Sequence, residues 1–400
     1  MPSVPKRLLL DLTLLGTPGG ARGIGRYARE LARGLCELPA HELEGIELIG
    51  LLSVDWSGKY SATTDIAGYL DQSGTQLLEE RDYYSWAYRQ RLVLWRAAKQ
   101  LRADAIHLCD PHATPRFLGL AGAKKIVTCH DIVPSRFPEH YMGWRDGGAS
   151  VGRWIEGQRY RSADLVIAVS DATKHDICSL MNVPQERVVR VYNGVNVDQW
   201  SAEPQLAAAT VLKKFELQAS DYLLYVGGAD WRKNIEGMMG ALAHVRQSGS
   251  NLVLAWAGHL DASHRERVEN AASQACVADA VRYLGHVTDD ELAVLYRASV
   301  AHLFVSRLEG FGLTVVEAMA SGCPVITTDA GSLAEVAGDA ALTVDPEDPP
   351  AIAAAIRRLM FEPELRTELI ARGKSRAARF TRQAQALATA QAYRRFFGIG

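Results

Sequence analysis

No charge of either sign dominates this sequence: 44 Lys and Arg stand against 46 Asp and Glu over 400 residues, a formal net charge of −2. The balance holds in each half, with 24 basic against 23 acidic residues in 1–200 and 20 against 23 in 201–400. A basic footprint for nucleic acid is therefore excluded. Nor is there a Cys-x-x-Cys pair. Cys36, Cys109, Cys129, Cys178, Cys276 and Cys323 lie far apart, which speaks against a zinc knuckle and a disulfide framework. Free thiols suit a reducing cytoplasm. No uninterrupted apolar run approaches the roughly 18 residues that a membrane-spanning helix needs. The opening MPSVPKRLLLDLTLLG breaks at Asp11, too early for a secretory signal. The expectation is a soluble cytoplasmic protein. No Asp-x-Asp triplet occurs either, so the simplest carboxylate clamp for a Mg²⁺-nucleotide is missing, and no metal ligands are expected.

What is present is alternation. Short apolar runs predict strands over 7–12, 46–54, 105–109, 125–129, 165–169 and 188–192, with helices notably over 24–38, 83–102 and 151–162. In the second half, strands are expected over 222–227, 251–257, 281–284, 301–305, 324–327 and 341–344. Helices fit at 234–248, 262–277, 289–298, 313–321, 350–361 and 363–378. Continuous apolar strands alternating with helices imply an α/β protein with parallel sheets covered on both faces. The strand-free stretch 196–221, with Pro204, is the natural seam. It sets out two doubly wound, Rossmann-like domains facing across a cleft, 1–205 and 206–379, with a C-terminal helix over 380–400 returning to the first.

Five stretches bear on chemistry. In LLLDLTLLGTPGGARGIGRYARELARGL, Gly23-Ile24-Gly25-Arg26-Tyr27-Ala28 fits G-x-G-x-x-G/A. Some ten loop residues separate it from the strand, and the next acidic residue at a strand end, Asp55, is 30 positions beyond Gly25 rather than about 20. That argues against a dinucleotide site. It leaves an anion site made by unpaired amides at a helix N-terminus, or a plain mobile loop. In IVTCHDIVPSRFPEHY, His130 and Asp131 follow a strand at the edge where parallel sheets place ligand groups, though a loop-capping histidine is the alternative. Ser170 and Lys174 in VSDATKHDI either face a ligand or serve only as a helix cap. In YVGGADWRKNIEGMMGAL, Arg232 and Lys233 sit beside a helix N-terminus. That placement is unfavourable by about 0.3–1 kcal/mol unless a polyanion binds there, a solvated lysine being the bland reading.

The fifth stretch is HLFVSRLEGFGLTVVEAMASGCPVI, residues 302–326. Glu309 falls in a loop after the strand and Glu317 in the second turn of the helix, within otherwise core-like sequence. Buried carboxylates need partners. Gly310 and Gly312 allow a ligand close to the backbone. Two carboxylates on a Gly-rich turn suit recognition of a polyol, whose hydroxyls donate to them. The acid/base pair of a hydrolase would look similar, but it has no use for the phosphate-seeking features above.

The segment EGFGLTVVEAMASGCPVITTDAGSLAEVAGDAALTVDPED, 309–348, closely resembles the carboxy-terminal signature of glycosyltransferase family 4, the retaining nucleotide-sugar transferases of the two-Rossmann GT-B fold. YVGGADWRKN, YLGHVTDDELAVLYRAS, VTCHDIVPSRFPEHY, VSDATKHDI and VYNGVN also match, over about 5–380. The resemblance implies that Glu309 holds hydroxyls of the donor sugar, Glu317 the ribose and Lys233 the diphosphate, assisted by amides of Gly310, Phe311, Gly312 and Leu313. It places His130 beside the reacting carbon, Gly23 and Gly25 on the phosphate and acceptor side, and Val287 against the base. Many members carry Arg where this chain has Gly228, which leaves Arg232 as a substitute or Lys233 alone. The resemblance implies no cofactor and no metal, only a nucleotide-diphosphate sugar as co-substrate. The Gly-Gly turn is similar to that of bacterial mannosyltransferases of O-antigen and exopolysaccharide chains, which implies GDP-mannose first and UDP-hexose as the alternative.

The acceptor implied is a glycan or a lipid-linked oligosaccharide. Segment 83–102 is rich in aromatic and basic residues. It reads either as a peripheral contact with the inner face of the plasma membrane or as a packed helix with a basic edge. Other classes remain open: a sugar phosphorylase or epimerase of the same fold, and a non-catalytic sugar-nucleotide sensor. The presence of His130, Lys233, Glu309 and Glu317 together favours the transferase.

Overall fold

The structure, a computed structural model, describes residues 4–17, 20, 23–54, 60–72, 93–115, 119–142 and 148–399. Its first sheet contains β1 (Lys6–Asp11), β2 (Ile46–Val54), β3 (Tyr60–Thr63), β4 (Ala105–Leu108), β5 (Lys124–Cys129), β6 (Leu165–Ala168) and β7 (Val188–Arg190), in the order β3-β2-β1-β4-β5-β6-β7. The second contains β8 (Tyr222–Val226), β9 (Val253–Ala257), β10 (Val281–Gly285), β11 (Ala301–Phe304), β12 (Val325–Thr327) and β13 (Leu342–Thr343), in the order β10-β9-β8-β11-β12-β13. Pairing is parallel apart from β2 with β3. The alternation expected from sequence is what forms. β3 was not foreseen, because its YSAT has no apolar run: it is an edge strand with two exposed residues at its centre.

Counted from its own first strand, the first sheet runs 3-2-1-4-5-6-7 and the second 3-2-1-4-5-6, both containing the Rossmann order. The direction of winding reverses between β1 and β4 in one sheet and between β8 and β11 in the other. Ligands of such sheets bind outside the carboxyl ends at that reversal.

The chain divides into two units, Met1–Gly194 with Thr381–Gly400, and Val195–Phe380. The division falls upstream of the expected seam after residue 205. Helix Val197–Ser201 already belongs to the second unit, where Trp200 is buried edge-on against Tyr296 at 6.0 Å. In the first unit Leu9, Ile106, Val127, Val166 and Tyr160 form a continuous core. Helix Arg382–Phe397 packs there against helix Gly23–Glu37. Gly34 permits the approach, since a Cβ would sit 2.8 Å from that of Ala386. Arg382 fastens it through Glu30 at 2.7 Å and Glu37 at 2.8 Å.

Local chemistry sets the helix starts. Thr288 and Glu291 form a reciprocal capping box, and Asp348 caps a helix that opens on Pro349. Ser170 is fully buried and accepts from the Thr173 amide, so it is a cap. The aromatic and basic segment of 83–102 lies outside the described residues up to position 92. Among the described residues no helix is long and apolar enough to cross a membrane.

Candidate active site

At the winding reversal of the second sheet, β8 runs into Gly227 and Gly228 and then a tight turn, Trp231–Lys233, capped by Asp230. Asn234 ends the turn in the left-handed region, φ +56°. Its Oδ1 accepts from the Gly237 amide at 3.2 Å, while Nδ2 donates to the carbonyls of Val305 at 3.1 Å and Pro346 at 2.6 Å. One buried amide thus caps the next helix and ties the turn to the loops after β11 and β13. The Arg307 amide donates to the Arg232 carbonyl at 2.7 Å from the other side.

The turn so held presents two cations to one carboxylate. Lys233 Nζ lies 2.7 Å from Glu309 Oε1, and Arg232 Nη1 lies 2.8 Å from Oε2. Glu309 is only 8% exposed. Burial alone would push its carboxyl up, but the Arg232 and Lys233 charges outweigh that and hold it below the usual range. Lys233 Nζ also rests 4.7 Å from the centre of the Phe304 ring, a cation–π contact. Both of its oxygens are engaged by the cations expected to meet phosphate, a pairing the sequence did not foretell. The reason is energetic, since an unpaired buried charge costs far more than a paired one. No pattern in the sequence shows this triad, because Glu309 lies more than 70 positions from the two cations.

Downstream of Glu309, Gly312 is the first cap of helix Leu313–Ala320 at φ +101°, where an L side chain would be strained. The helix therefore starts with no side-chain cap and no acidic residue in its first turn, which leaves an electropositive end. Gly310 is buried, and Phe311 is set edge-on to Phe380 at 5.6 Å. Glu317 is completely buried in the second turn. Gly228 is not sterically required, for a Cβ there meets nothing within 4 Å. Val287, half-buried, follows β10 at the same carboxyl edge.

In the first unit His130 follows β5. Its Nε2 lies 2.8 Å from the Cys109 carbonyl, an acceptor only, so that nitrogen carries the proton and Nδ1 is left as an acceptor. Burial lowers its pKa, and the Tyr27 ring stands edge-on at 4.7 Å. Asp131 accepts from the Val133 amide at 3.2 Å. Gly25 is needed where it stands, since a Cβ would come within 2.2 Å of the Gly20 carbonyl; Gly23 has open space. Asp11, buried at the end of β1, is pushed up to about 6 by burial despite two bonds from Thr13.

A buried polar chain lies beneath. Tyr27 and Thr128 hydroxyls meet at 2.8 Å, Thr128 meets His107 Nε2 at 2.7 Å, and His107 Nδ1 meets the Tyr393 hydroxyl at 2.6 Å. Burial lowers His107 to about 3, so the ring is neutral. Sequence reasoning missed this chain. Its one signal was a histidine inside the apolar strand AIHL.

A family model described as "Glycosyl transferases group 1" matches residues 212–376, and one described as "Glycosyltransferase Family 4" matches residues 21–199. The chain is 30% identical over 382 residues to the O-antigen chain mannosyltransferase B of Escherichia coli, covering 93% of this chain and 96% of that one. Its fold is similar to sucrose-phosphate synthase of Thermosynechococcus elongatus, with TM-score 0.75, 21% identity and 99% and 100% of the two chains covered. It is also similar to Anabaena HepE solved with UDP-glucose, with TM-score 0.72, 18% identity and 97% and 99% covered.

Proposed function

The chain belongs to glycosyltransferase family 4, and from that premise we propose that it moves a hexose, mannose first, from a nucleoside-diphosphate sugar to a hydroxyl of a glycan or lipid-linked acceptor, with retention and without a metal. The observation that carries this reading is the Arg232–Glu309–Lys233 triad at the winding reversal of the second sheet. A turn that gathers two cations there, next to an uncapped helix start, is suited to a diphosphate.

The chemistry follows from charge. Breaking the anomeric C–O bond leaves negative charge on the diphosphate and an oxocarbenium-like sugar. Lys233 and Arg232, with amides of Gly310, Phe311, Gly312 and Leu313, meet the departing charge. A well-placed donor of this kind supplies about 2.7–4 kcal/mol. Glu317 is assigned to ribose, Glu309 to donor-sugar hydroxyls, Val287 to the base through its backbone, and Gly23 and Gly25 to the phosphate and acceptor side. His130 is assigned to the reacting carbon as a neutral ring with Nδ1 accepting. Retention is proposed to come from front-face return, the leaving phosphate taking the acceptor proton. Mannose is supported by the named relative and by the Gly227-Gly228 turn; the structure with UDP-glucose supports a nucleotide-sugar in general.

Thermal-shift measurement with GDP, UDP, ADP and their hexose conjugates tests the reading. A ligand at 100 times its Kd stabilises by about 2.7 kcal/mol. Stabilisation by GDP and GDP-mannose is expected. Selective stabilisation by UDP conjugates would replace the donor and leave the transferase standing, whereas no response to any of them would remove it.

A further inference from the structure

Both oxygens of Glu309 are occupied by the two side chains that a diphosphate needs. We propose that Glu309 is a built-in competitor of the diphosphate, handing Lys233 and Arg232 to the incoming donor and reclaiming them from the spent nucleotide. This rests on the donor site proposed above and adds a direction to its cycle.

The argument is one of exchange. A nucleotide-sugar that draws the cations away strips Glu309 of its partners, and a buried carboxylate without partners is costly. The donor repays that loss, because its sugar hydroxyls can donate to the released oxygens. The nucleoside diphosphate left after transfer carries no sugar. Glu309 then turns back to the cations, the Ser306 hydroxyl being a neutral neighbour, and competes with the phosphates for them. The site therefore discriminates between donor and product through one carboxylate.

The surroundings confine the exchange to side-chain heads. The Arg232 carbonyl is held by the Arg307 amide at 2.7 Å, and Asn234 anchors the next position through three bonds. The Glu309 carbonyl accepts from the Ser332 amide at 3.2 Å and from its hydroxyl at 3.0 Å. Gly331, at φ +62°, lies so close that a Cβ would come within 2.7 Å of that carbonyl. Both backbones are fixed, while Lys233 keeps a flexible four-carbon stem over the Phe304 ring.

The test compares the full-length parent with Glu309→Gln, titrating GDP, and UDP in parallel, by calorimetry. Glu309→Gln is expected to bind the nucleoside diphosphate about tenfold tighter and to show correspondingly stronger product inhibition, while sugar transfer falls. Unchanged or weaker diphosphate binding in Glu309→Gln would overturn the hand-over. If Lys233→Ala still weakens binding in that case, the donor site stands without it. If Lys233→Ala binds like the parent, the donor site itself is wrong. Should Glu309→Gln fail to fold, a crystal structure of the parent with the same diphosphate decides. Lys233 Nζ leaving Glu309 for a phosphate oxygen supports the proposal, and Nζ remaining on Glu309 with the phosphates held by amides alone ends it.

Discussion

At the carboxyl ends of β1 and β5 burial pushes Asp11 and His130 towards their neutral forms, whereas in the loop after β11 pairing holds Glu309 in its charged form. Asp11 is pushed up to about 6, and His130 and His107 are lowered. Glu309, just as buried, is held below its usual range by two cations. The two sheets share a strand order, so the contrast comes from side chains. Under the proposed function it is a division of labour: the second unit would store charge for the donor's diphosphate, and the first would meet hydroxyls with neutral groups.

The comparison can be broken most severely at Lys233. Lys233→Ala removes one charge-assisted contact to a diphosphate, worth about 1.5–3 kcal/mol, so nucleotide affinity and turnover should each fall ten- to hundredfold or more. Calorimetry and a transfer assay on the same preparation check this, and an unaltered circular-dichroism spectrum shows that the fold survives.

Thr128→Val strikes the other unit. It keeps the shape but strands His107 Nε2 and the Tyr27 hydroxyl, at about 1–3 kcal/mol for each buried group left unsatisfied. The thermal midpoint should drop by several degrees, with nucleotide binding by the second unit unchanged. A shift in nucleotide affinity would contradict the division.

Acidification sharpens the contrast further. His107 in the first unit and His302 in the second, lowered by burial to about 3 and about 4, stay neutral when folded and take protons when unfolded. Each therefore costs stability as pH falls below about 6.5, about 1.4 kcal/mol at pH 5.5. Asp11 acts with the opposite sign. Its folded pKa is raised, so its contribution is present at low pH and lost as pH rises through about 6, which returns about 0.8 kcal/mol between pH 7 and 5.5. Asp11→Asn should steepen the loss of unfolding free energy between those two pH values by that amount, read from denaturant melts. An identical slope would mean that Asp11 titrates at its ordinary value.

Gly228→Arg has the smallest effect. The position is open, so an added guanidinium should leave the fold intact. It should raise affinity for nucleoside diphosphate by two- to fivefold, in the range of about 0.2–1 kcal/mol for an exposed charge pair. No change in calorimetric affinity would place Gly228 away from the phosphates.

The alternation of strands and helices was legible because period and apolar run length are local properties. RLLLDL, KIVTC and AHLF each announce a buried strand without reference to anything distant. The cap at Ser170 was legible for the same reason, as was the family likeness carried by 309–348. β3 was not, because an edge strand needs only one partner and no apolar face.

Tertiary structure alone decided which carboxyls are pushed up and which are held down. Glu309 and Lys233 are 76 positions apart, and nothing near either residue says that one holds the other. Nor does the sequence around Asn234 reveal that its amide reaches Val305 and Pro346. The physical reason is that a pKa or an ion pair depends on dielectric surroundings and on separations of a few ångström. The chain closes those distances only by bringing the turn after β8 against the loop after β11. The sequence by itself determined two Rossmann-like sheets and a family; the fold determined that burial raises the Asp11 carboxyl while two cations hold that of Glu309 below its usual range.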